Sequence, residues 1–437
     1  MASSSSSPDP AARRSSDRSS RSKSPARTPV PREILVLIAA AFAIAVGYGL
    51  VAPVLPQYAS SFGVGVAAAS AVVSAFAFCR LMFAPAGGRI LDAIGERRTY
   101  LIGLVIVALS SFATAFAGSY WQLLLFRGLG GLGSTMFTIS AMGLIVRLAP
   151  PDSRGRISGM YASTFLIGGI LGPVIGGLLA GFGMQAPFLI YGAAILLAAG
   201  VVFWQIPPQS LHDRAAAKAQ VRMSFREAWQ FGAYRATLVS GFANGWTSMG
   251  IRVALIPLIA SAVFGAGPAL SGVALTVFAA GSAVALSFSG RISDSMGRKP
   301  LVITGLVLAG VMTAVIGFTD SVWIFAVASF LSGVGSGTLN PGQQAAVADV
   351  IGPQRSGGTV LSRFQMSQDA GQILGPILAG ALVDAAGFGP AFLVSGVLMG
   401  VAALAWTPVM DTLKRPDVDA VPTGSVPRVS DEEREDS

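Results

Sequence analysis

Apolar runs of about 20 residues alternate with short polar loops along most of the chain. Coiled as helices, runs of this length span roughly 30 Å of hydrocarbon. The pattern predicts twelve helices, at 34–56, 67–90, 99–117, 120–147, 157–181, 186–206, 236–264, 268–289, 300–318, 321–349, 358–384 and 388–410. We therefore expect an all-α protein that crosses a membrane twelve times.

The longest internal polar stretch, at 207–235, separates two groups of six predicted helices. Its segment 211–231 mixes basic residues and Ala with Met223, Phe225, Trp229 and Phe231, which predicts an amphipathic helix lying on the membrane. The expected organisation is a basic tail (1–32), a six-helix bundle (33–206), this linker (207–235), a second six-helix bundle (236–410) and a second tail (411–437). Both tails are polar, and we expect them to be disordered.

The composition agrees with a membrane protein. Hydrophobic residues make up 53% of the 437 residues and charged residues only 12%, whereas a soluble domain carries about 25% charged residues. Cys79 is the only cysteine and His212 the only histidine, so a disulfide framework and a Cys- or His-based metal site are both excluded. The sequence has no Gly-x-x-x-x-Gly-Lys-Ser/Thr phosphate loop, which argues against ATP as the energy source. We expect no cofactor, no metal and no enzymatic activity.

Lys and Arg residues are concentrated in every second loop and in the two tails. The net charge is +9, but the loops at 57–66, 117–120, 181–187, 265–268 and 318–321 contain no Lys or Arg, while the intervening loops and the tails are basic. This alternation follows the positive-inside rule and places both termini in the cytoplasm of a plasma-membrane protein. It argues against a nucleic-acid-binding surface, which would gather the basic residues on one soluble face.

Two loops about 200 residues apart have nearly the same sequence. Each combines two glycines, an aspartate and two basic residues, namely Gly88, Asp92, Gly95, Arg97 and Arg98 in the first copy and Gly290, Asp294, Gly297, Arg298 and Lys299 in the second. The two aspartates are 202 residues apart. Internal repeats of this kind underlie many secondary transporters, so we expect two homologous halves.

A second pair of matching segments lies inside predicted helices five and eleven. The segment 168–177 (GGILGPVIGG) returns as 371–380 (GQILGPILAG), with the two Gly-Pro steps 203 residues apart. Proline removes a backbone donor and bends a helix, and glycine lets helices approach closely. The candidate motif residues are Gly168, Gly172, Pro173, Gly176, Gly177, Gly375 and Pro376. The alternative interpretation is a generic membrane-helix kink.

These motifs resemble the major facilitator superfamily, and within it the twelve-helix drug/proton antiporter branch, over about 34–410. The resemblance implies two pseudo-symmetric six-helix bundles that rock about a central site. The first loop departs from the family pattern at Ala93 and Glu96, where basic residues are usual. The segment 168–177 resembles the antiporter signature of exporters, which implies helix-pair packing and control of leak.

The repeated loops are expected to act as a conformational latch. Asp92 would face the start of helix eleven, near 357–358, and Asp294 the start of helix five, near 154–155, where a carboxylate complements the positive end of a helix dipole. The alternative is that these are ordinary charged loop residues that follow the topology rules.

Two charged residues are candidates for proton coupling. Arg127 lies in an Arg-Gly motif that resembles the helix-four motif of the family, which implies a role linked to proton coupling. The alternative is a structural arginine bonded to carbonyl groups. Asp369 is the carboxylate placed deepest within a predicted span, where it could exchange a proton. Its alternative is a permanent ion pair with Arg80 or Arg252.

The family architecture implies that helices one, four, seven and ten line the central cavity. Candidate substrate contacts are polar, aromatic or charged, namely Tyr48, Gln57, Arg80, Asn244, Trp246, Arg252, Asn340, Gln343 and Gln368. The excess of arginine over acid suggests an anionic or amphiphilic solute.

Together these features predict a secondary active transporter, expected to export small amphiphilic compounds or drugs by alternating access in exchange for protons. The expected partners are a small-molecule solute, protons and the lipid bilayer, and the expected state is a monomer. The alternatives are uptake or facilitated transport of an organic anion or sugar, and a membrane sensor that does not transport.

Overall fold

The structure is a computed structural model, and it describes residues 31–148, 154–206, 223–352, 355 and 358–414. Within these ranges the regular structure is helical, without β-strands. The predicted tails, apart from 31–32 and 411–414, and the first part of the predicted linker lie outside the described residues.

Twelve long helices form the described part of the chain. In chain order they are α1 (Arg32–Val51), α2 (Val66–Ile94), α3 (Glu96–Ala115), α4 (Tyr120–Leu148), α5 (Arg154–Leu179), α6 (Ala186–Gln205), α7 (Gly232–Phe264), α8 (Pro268–Met296), α9 (Arg298–Phe318), α10 (Val322–Ile351), α11 (Gly358–Ala386) and α12 (Phe388–Trp406). Among the described residues, eleven helices are long and apolar enough to cross a membrane. The remaining one, α11, carries Arg363, Asp369 and Asp384.

Two of the twelve helices depart from the sequence prediction. A single helix was expected at 34–56, but α1 ends at Val51 and a separate short helix follows at Leu55–Ser60. Pro53 and Pro56 explain the break, because proline lacks a backbone donor and is accommodated in the first turn of a new helix. In α7, the segment Gly245–Ile251 is a π-helical turn, which lies against α11.

Each half packs in the same way. In the first half, α1 lies against α5 and α6, α3 against α4 and α6, and α2 against α4. The second half repeats these contacts with α7 against α11 and α12, α9 against α10 and α12, and α8 against α10. The two halves meet where α2 contacts α11 and where α5 contacts α8, two contacts that are equivalent under the repeat. The duplicated sequence therefore folds as two bundles related by a pseudo-twofold axis.

We call the end of the bundle that carries 61–65, 116–119, 183–185, 265–267 and 319–321 the outer end, and the opposite end the inner end, following the charge distribution of the loops. At the inner end, Gly95 and Gly297 separate α2 from α3 and α8 from α9 with φ values of 83° and 105°. Backbone in this region favours glycine, which lacks a Cβ. The repeated glycine is thus required by the tight turn.

The predicted amphipathic segment is described only from residue 223 onward. It holds a short helix at Phe225–Gln230, preceded by a capping box in which Ser224 and Glu227 bond each other's backbone N–H groups. The N–H and hydroxyl of Ser224 lower the pKa of the Glu227 carboxyl. Phe225 stacks near Trp229 and Tyr234, which ties this helix to the start of α7.

Candidate functional site

Hydrogen bonds across the α2–α11 contact join the two halves at the outer end. The carboxylate of Asp384, near the end of α11, accepts the backbone N–H groups of Val66 and Ala67 at 2.8 and 2.9 Å. The N-terminal residues of a helix have N–H groups without intrahelical partners, and a carboxylate there also complements the helix dipole. Asp384 therefore caps α2 from the other half of the molecule. We call this contact the outer cap.

The same contact continues toward the middle of the bundle. The Ser74 hydroxyl donates to the carbonyl of Ile373 at 2.7 Å. Further inward, Arg80 on α2 forms an ion pair with Asp369 on α11. The Asp369 side chain is 9% exposed and that of Arg80 is 32% exposed. Of the two alternatives for Asp369, the ion pair with Arg80 is the one present in this conformation.

Close glycine packing seals both equivalent contacts between the halves. A Cβ on Gly380 of α11 would lie 2.8 Å from the Cα of Ala67. Its counterpart on α5, Gly177, would meet the carbonyl oxygen of Pro268 at 2.8 Å. Further inward on α8, the Thr276 hydroxyl donates to the carbonyl of Ile170 at 3.0 Å. Backbones approach this closely only where side chains are absent.

Gln57 adds a further bond between the halves. Its amide nitrogen donates to the carbonyl of Pro257 at 2.9 Å and to the hydroxyl of Ser271 at 3.2 Å. This residue was predicted as a substrate contact, and in this conformation its amide N–H groups face α7 and α8.

The described bonds between the halves lie between the outer end and the middle of the bundle. The outermost of them is the outer cap formed by Asp384, and the innermost one described on α2 is the ion pair of Arg80 with Asp369. This distribution of bonds is the one expected of a conformation closed at its outer end.

The predicted latch residues lie at the inner ends of α2 and α8 and at the starts of α3 and α9. The Arg97 guanidinium donates to the carbonyl of Phe203 at 2.6 Å, and Arg298 bonds Asp349 at 3.2 Å, both within their own halves. Arg98 is exposed. The side chains of Asp92 and Asp294 lie outside those described.

A carboxylate that the sequence did not single out supports the second loop. Asp411 accepts the N–H groups of Arg298 and Lys299 at 3.0 and 3.2 Å, so it caps the start of α9. Thr412 donates to Asp349 at 2.8 Å. The first residues of the predicted C-terminal tail are thus bonded to the inner end of the second half.

The glycines of the paired Gly-Pro segments pack helices within each half. Gly49 of α1 meets Gly172 of α5 so closely that a Cβ on Gly49 would lie 2.8 Å from the Cα of Gly172. Gly168 and Gly176 extend this contact along α1. In the second half, a Cβ on Gly375 would meet the carbonyl oxygen of Trp246 at 2.9 Å. Both Gly-Pro segments therefore fix the helix that would line the cavity.

Two buried arginines occupy comparable places in the two halves. The guanidinium carbon of Arg127 lies 4.4 Å from the ring centre of Phe76 and 5.7 Å from that of Tyr48. The guanidinium carbon of Arg252 lies 3.3 Å from the ring centre of Phe278, and one of its terminal nitrogens donates to Ser332 at 2.8 Å. Both residues are more than nine-tenths buried.

The other predicted substrate contacts lie on α7, α10 and α11. Asn244 donates to Asn340 at 3.1 Å, which links α7 to α10, and Gln343 is fully buried with neither amide atom bonded. Trp246 points into its own half, where its indole donates to Ser395 at 3.1 Å. Gln368 lies on α11 against the glycines of α7.

The structure thus brings Arg80 and Asp369 together, and stacks Arg127 on the predicted cavity residue Tyr48. Sequence reasoning did not find the outer cap or the bond from Ser74. Asp384 and its partners are more than 300 residues apart, and a single aspartate at a helix end is an ordinary sequence feature. The equivalence of Gly177 and Gly380 was the one available signal for the contact between halves.

Comparisons with known proteins agree with this architecture. The family model described as Major Facilitator Superfamily matches residues 37–238 and 237–429. The chain is 27% identical over 377 residues to the Quinolone resistance protein NorA of Staphylococcus aureus (strain MRSA252), covering 85% of this chain and 95% of that protein. It is 26% identical over 363 residues to the Multi-drug resistance efflux pump PmrA homolog of Lactococcus lactis subsp. lactis (strain IL1403), covering 80% and 88%.

Solved structures show the same fold. A bacterial homolog of the human lysosomal transporter Spinster, in an inward-facing and unoccupied conformation, superposes with a TM-score of 0.75 at 17% identity, covering 86% of this chain and 95% of that one. The human organic anion transporter MFSD10 (TETRAN) superposes with a TM-score of 0.63 at 17% identity, covering 86% and 99%.

Proposed function

The chain belongs to the major facilitator superfamily, and from this premise we propose that it is a secondary active transporter that exports small amphiphilic compounds, drugs among them, by alternating access coupled to protons. Two observations support the proposal. The relatives that the chain covers almost completely are a quinolone resistance protein and a multidrug efflux pump. The described bonds between the halves lie at the outer end and in the middle of the bundle.

The single observation that carries the mechanism is the ion pair of Arg80 with Asp369 across the two halves. Because α2 and α11 belong to different bundles, opening the outer end must separate this pair. An unpaired carboxylate in a poorly solvated place binds a proton. Protons supplied from outside would therefore favour the separated state, and their release would favour re-formation of the ion pair. Arg127, the second coupling candidate, lies at a nearby depth.

The repeated loops complete the cycle in this proposal. When the inner end closes, Asp92 approaches the start of α11 and Asp294 the start of α5, and each carboxylate complements the helix dipole there. The basic residues that follow hold each loop to its own half, as the bonds of Arg97 and Arg298 do. The loops would then stabilise the conformation that is open outward.

The remaining assignments follow the same proposal. The six-helix bundles at 33–206 and 236–410 act as the two moving bodies, joined by the linker at 207–235. The protein resides in the plasma membrane with both termini in the cytoplasm, works as a monomer, and binds a small solute and protons but not nucleic acid.

The test uses purified protein in proteoliposomes with an imposed pH gradient. We expect gradient-driven accumulation of a fluorescent quinolone with the native chain. Asp369→Asn should abolish this accumulation, since Asn cannot carry a proton, while exchange of labelled for unlabelled solute without a gradient persists. Asp320→Asn, at an exposed outer loop, is the matched control and should transport normally. Unchanged gradient-driven accumulation in Asp369→Asn would exclude Asp369 as the proton carrier.

A further inference from the structure

The two buried arginines stack on phenylalanines that are equivalent under the repeat. Phe76 and Phe278 are 202 residues apart, the same interval as Asp92 and Asp294. The arginines are not equivalent, since Arg127 comes from α4 and Arg252 from α7. Each half therefore holds one guanidinium on the same ring, by a different helix.

The positions equivalent to the two arginines are uncharged. Residue 329, equivalent to Arg127, is a serine whose hydroxyl is buried without a partner, and residue 50, equivalent to Arg252, is a leucine. The stacking is thus not a by-product of duplication, because the duplicated helices do not carry the charge at matching places.

Neither guanidinium has a carboxylate partner among the described residues. Arg127 contacts the rings of Phe76 and Tyr48, and its Nε is buried with no hydrogen-bond acceptor. The Nε and Nη1 of Arg252 are likewise buried and unbonded. Asp369 is already paired with Arg80. A buried charge without a counter-charge is destabilising, and an arginine within a membrane generally faces protein or water that offsets its charge.

Arg127 has hydrogen-bond donors without protein acceptors in the part of the chain that the structure describes, and it is oriented toward the interior of the bundle. Its two terminal nitrogens donate no hydrogen bond to the described residues. On α4, the exposed side chains of Trp121, Leu125 and Leu129 mark the lipid face. Arg127 is two residues from both leucines, about 200° around the helix, so it points away from lipid and toward the interior of the bundle.

The two stacked arginines lie at the same depth in the bundle as the innermost described bonds between the halves. Phe76 lies between Ser74 and Arg80, the two innermost residues of α2 described as bonded to α11. Phe278 lies two residues beyond Thr276, which is bonded to α5. The guanidiniums therefore lie at the depth of the innermost described bonds between the halves.

We propose that Arg127 binds the anionic group of the transported solute, that Tyr48 contacts its aromatic part, and that Arg252 adds positive potential from the opposite half. The proposal rests on the proposed transport function and narrows its substrate class to amphiphiles that carry a carboxylate. A planar guanidinium offers two parallel N–H groups to a carboxylate. The stacked phenyl ring holds the guanidinium in place without occupying those donors.

The experiment measures binding, so that it is independent of coupling and flux. Calorimetry with the full-length protein in detergent compares 2-naphthoate with its uncharged methyl ester, after subtraction of empty micelles. We expect the native chain to bind the acid at least tenfold more tightly than the ester. Arg127→Gln should lose that preference by about tenfold or more, Arg127→Lys should retain part of it, and Arg252→Gln should weaken acid binding several-fold.

Arg363→Gln is the matched control. Arg363 also lies over a phenyl ring, that of Phe225, but at the inner surface, and its removal should leave the preference for the acid unchanged. Equal binding of acid and ester to the native chain, failure of both to bind, or equal losses for both in Arg127→Gln would overturn the proposal. Proton-driven quinolone flux by the same preparation would then still support the transport function, so the two failures are distinguishable.

Discussion

Removal of the Asp384 carboxylate should shift the protein toward the conformation that is open outward. Asp384 accepts two N–H groups at the start of α2, and Gly65 at the preceding position has no side chain to replace it. In Asp384→Ala, both N–H groups lose their acceptor and the helix dipole loses its complementary charge. The loss applies only to the closed state, because the two helices belong to different halves.

The size of the effect follows from what such contacts contribute. Substituting a side chain that caps a helix costs about 0.5–2 kcal/mol, and the exposed position of Asp384 favours the lower part of this range. A value of about 1 kcal/mol changes the ratio of closed to open molecules about fivefold. Asp384→Asn retains one acceptor and should have a smaller effect.

Distances between spin labels at the outer end measure this ratio. Replacing Cys79, the only cysteine, by serine gives a background in which labels are attached at 181 on the first half and 322 on the second, both exposed positions. Asp384→Ala should increase the ratio of long to short distances about fivefold. Asp320→Asn, which removes an exposed carboxylate without a described bond, should leave the distribution unchanged. A distribution that is the same in Asp384→Ala and the native chain would refute the assignment of the outer cap.

Two further changes test the two ends of the interface. Gly380→Val places a side chain where even a Cβ would lie 2.8 Å from the Cα of Ala67. The overpacking costs about 1–3 kcal/mol and should open the outer end and slow quinolone export. The control is Gly169→Val, at a position with open space, which should leave export unchanged. Asp92→Asn should reduce export several-fold with normal insertion into the membrane, by weakening the conformation closed at the inner end; undiminished export by a normally inserted variant would contradict the latch.

The sequence alone determined the class of fold. Apolar runs of about 20 residues are long enough to cross a membrane as helices. In lipid the backbone N–H and C=O groups must bond each other, and a helix achieves this within one segment. The repeat of Asp92 and its neighbours at Asp294 indicated the duplication, and the Gly-Pro segments indicated where helices pack most closely. Each of these signals is local, so it can be read without knowing which residues meet.

The tertiary structure decided the contacts between the halves. Asp369 had two possible arginine partners in sequence, and the packing of α2 against α11 selected Arg80. Trp246 was a candidate cavity residue because it is aromatic and lies on α7, but the orientation of α7 directs its indole to Ser395. The outer cap depends on the relative placement of two bundles whose contacting residues are more than 300 positions apart. Periodicity gives the lipid-facing and buried sides of a helix, whereas the partner of a buried charge is set by how separate helices are brought together in space.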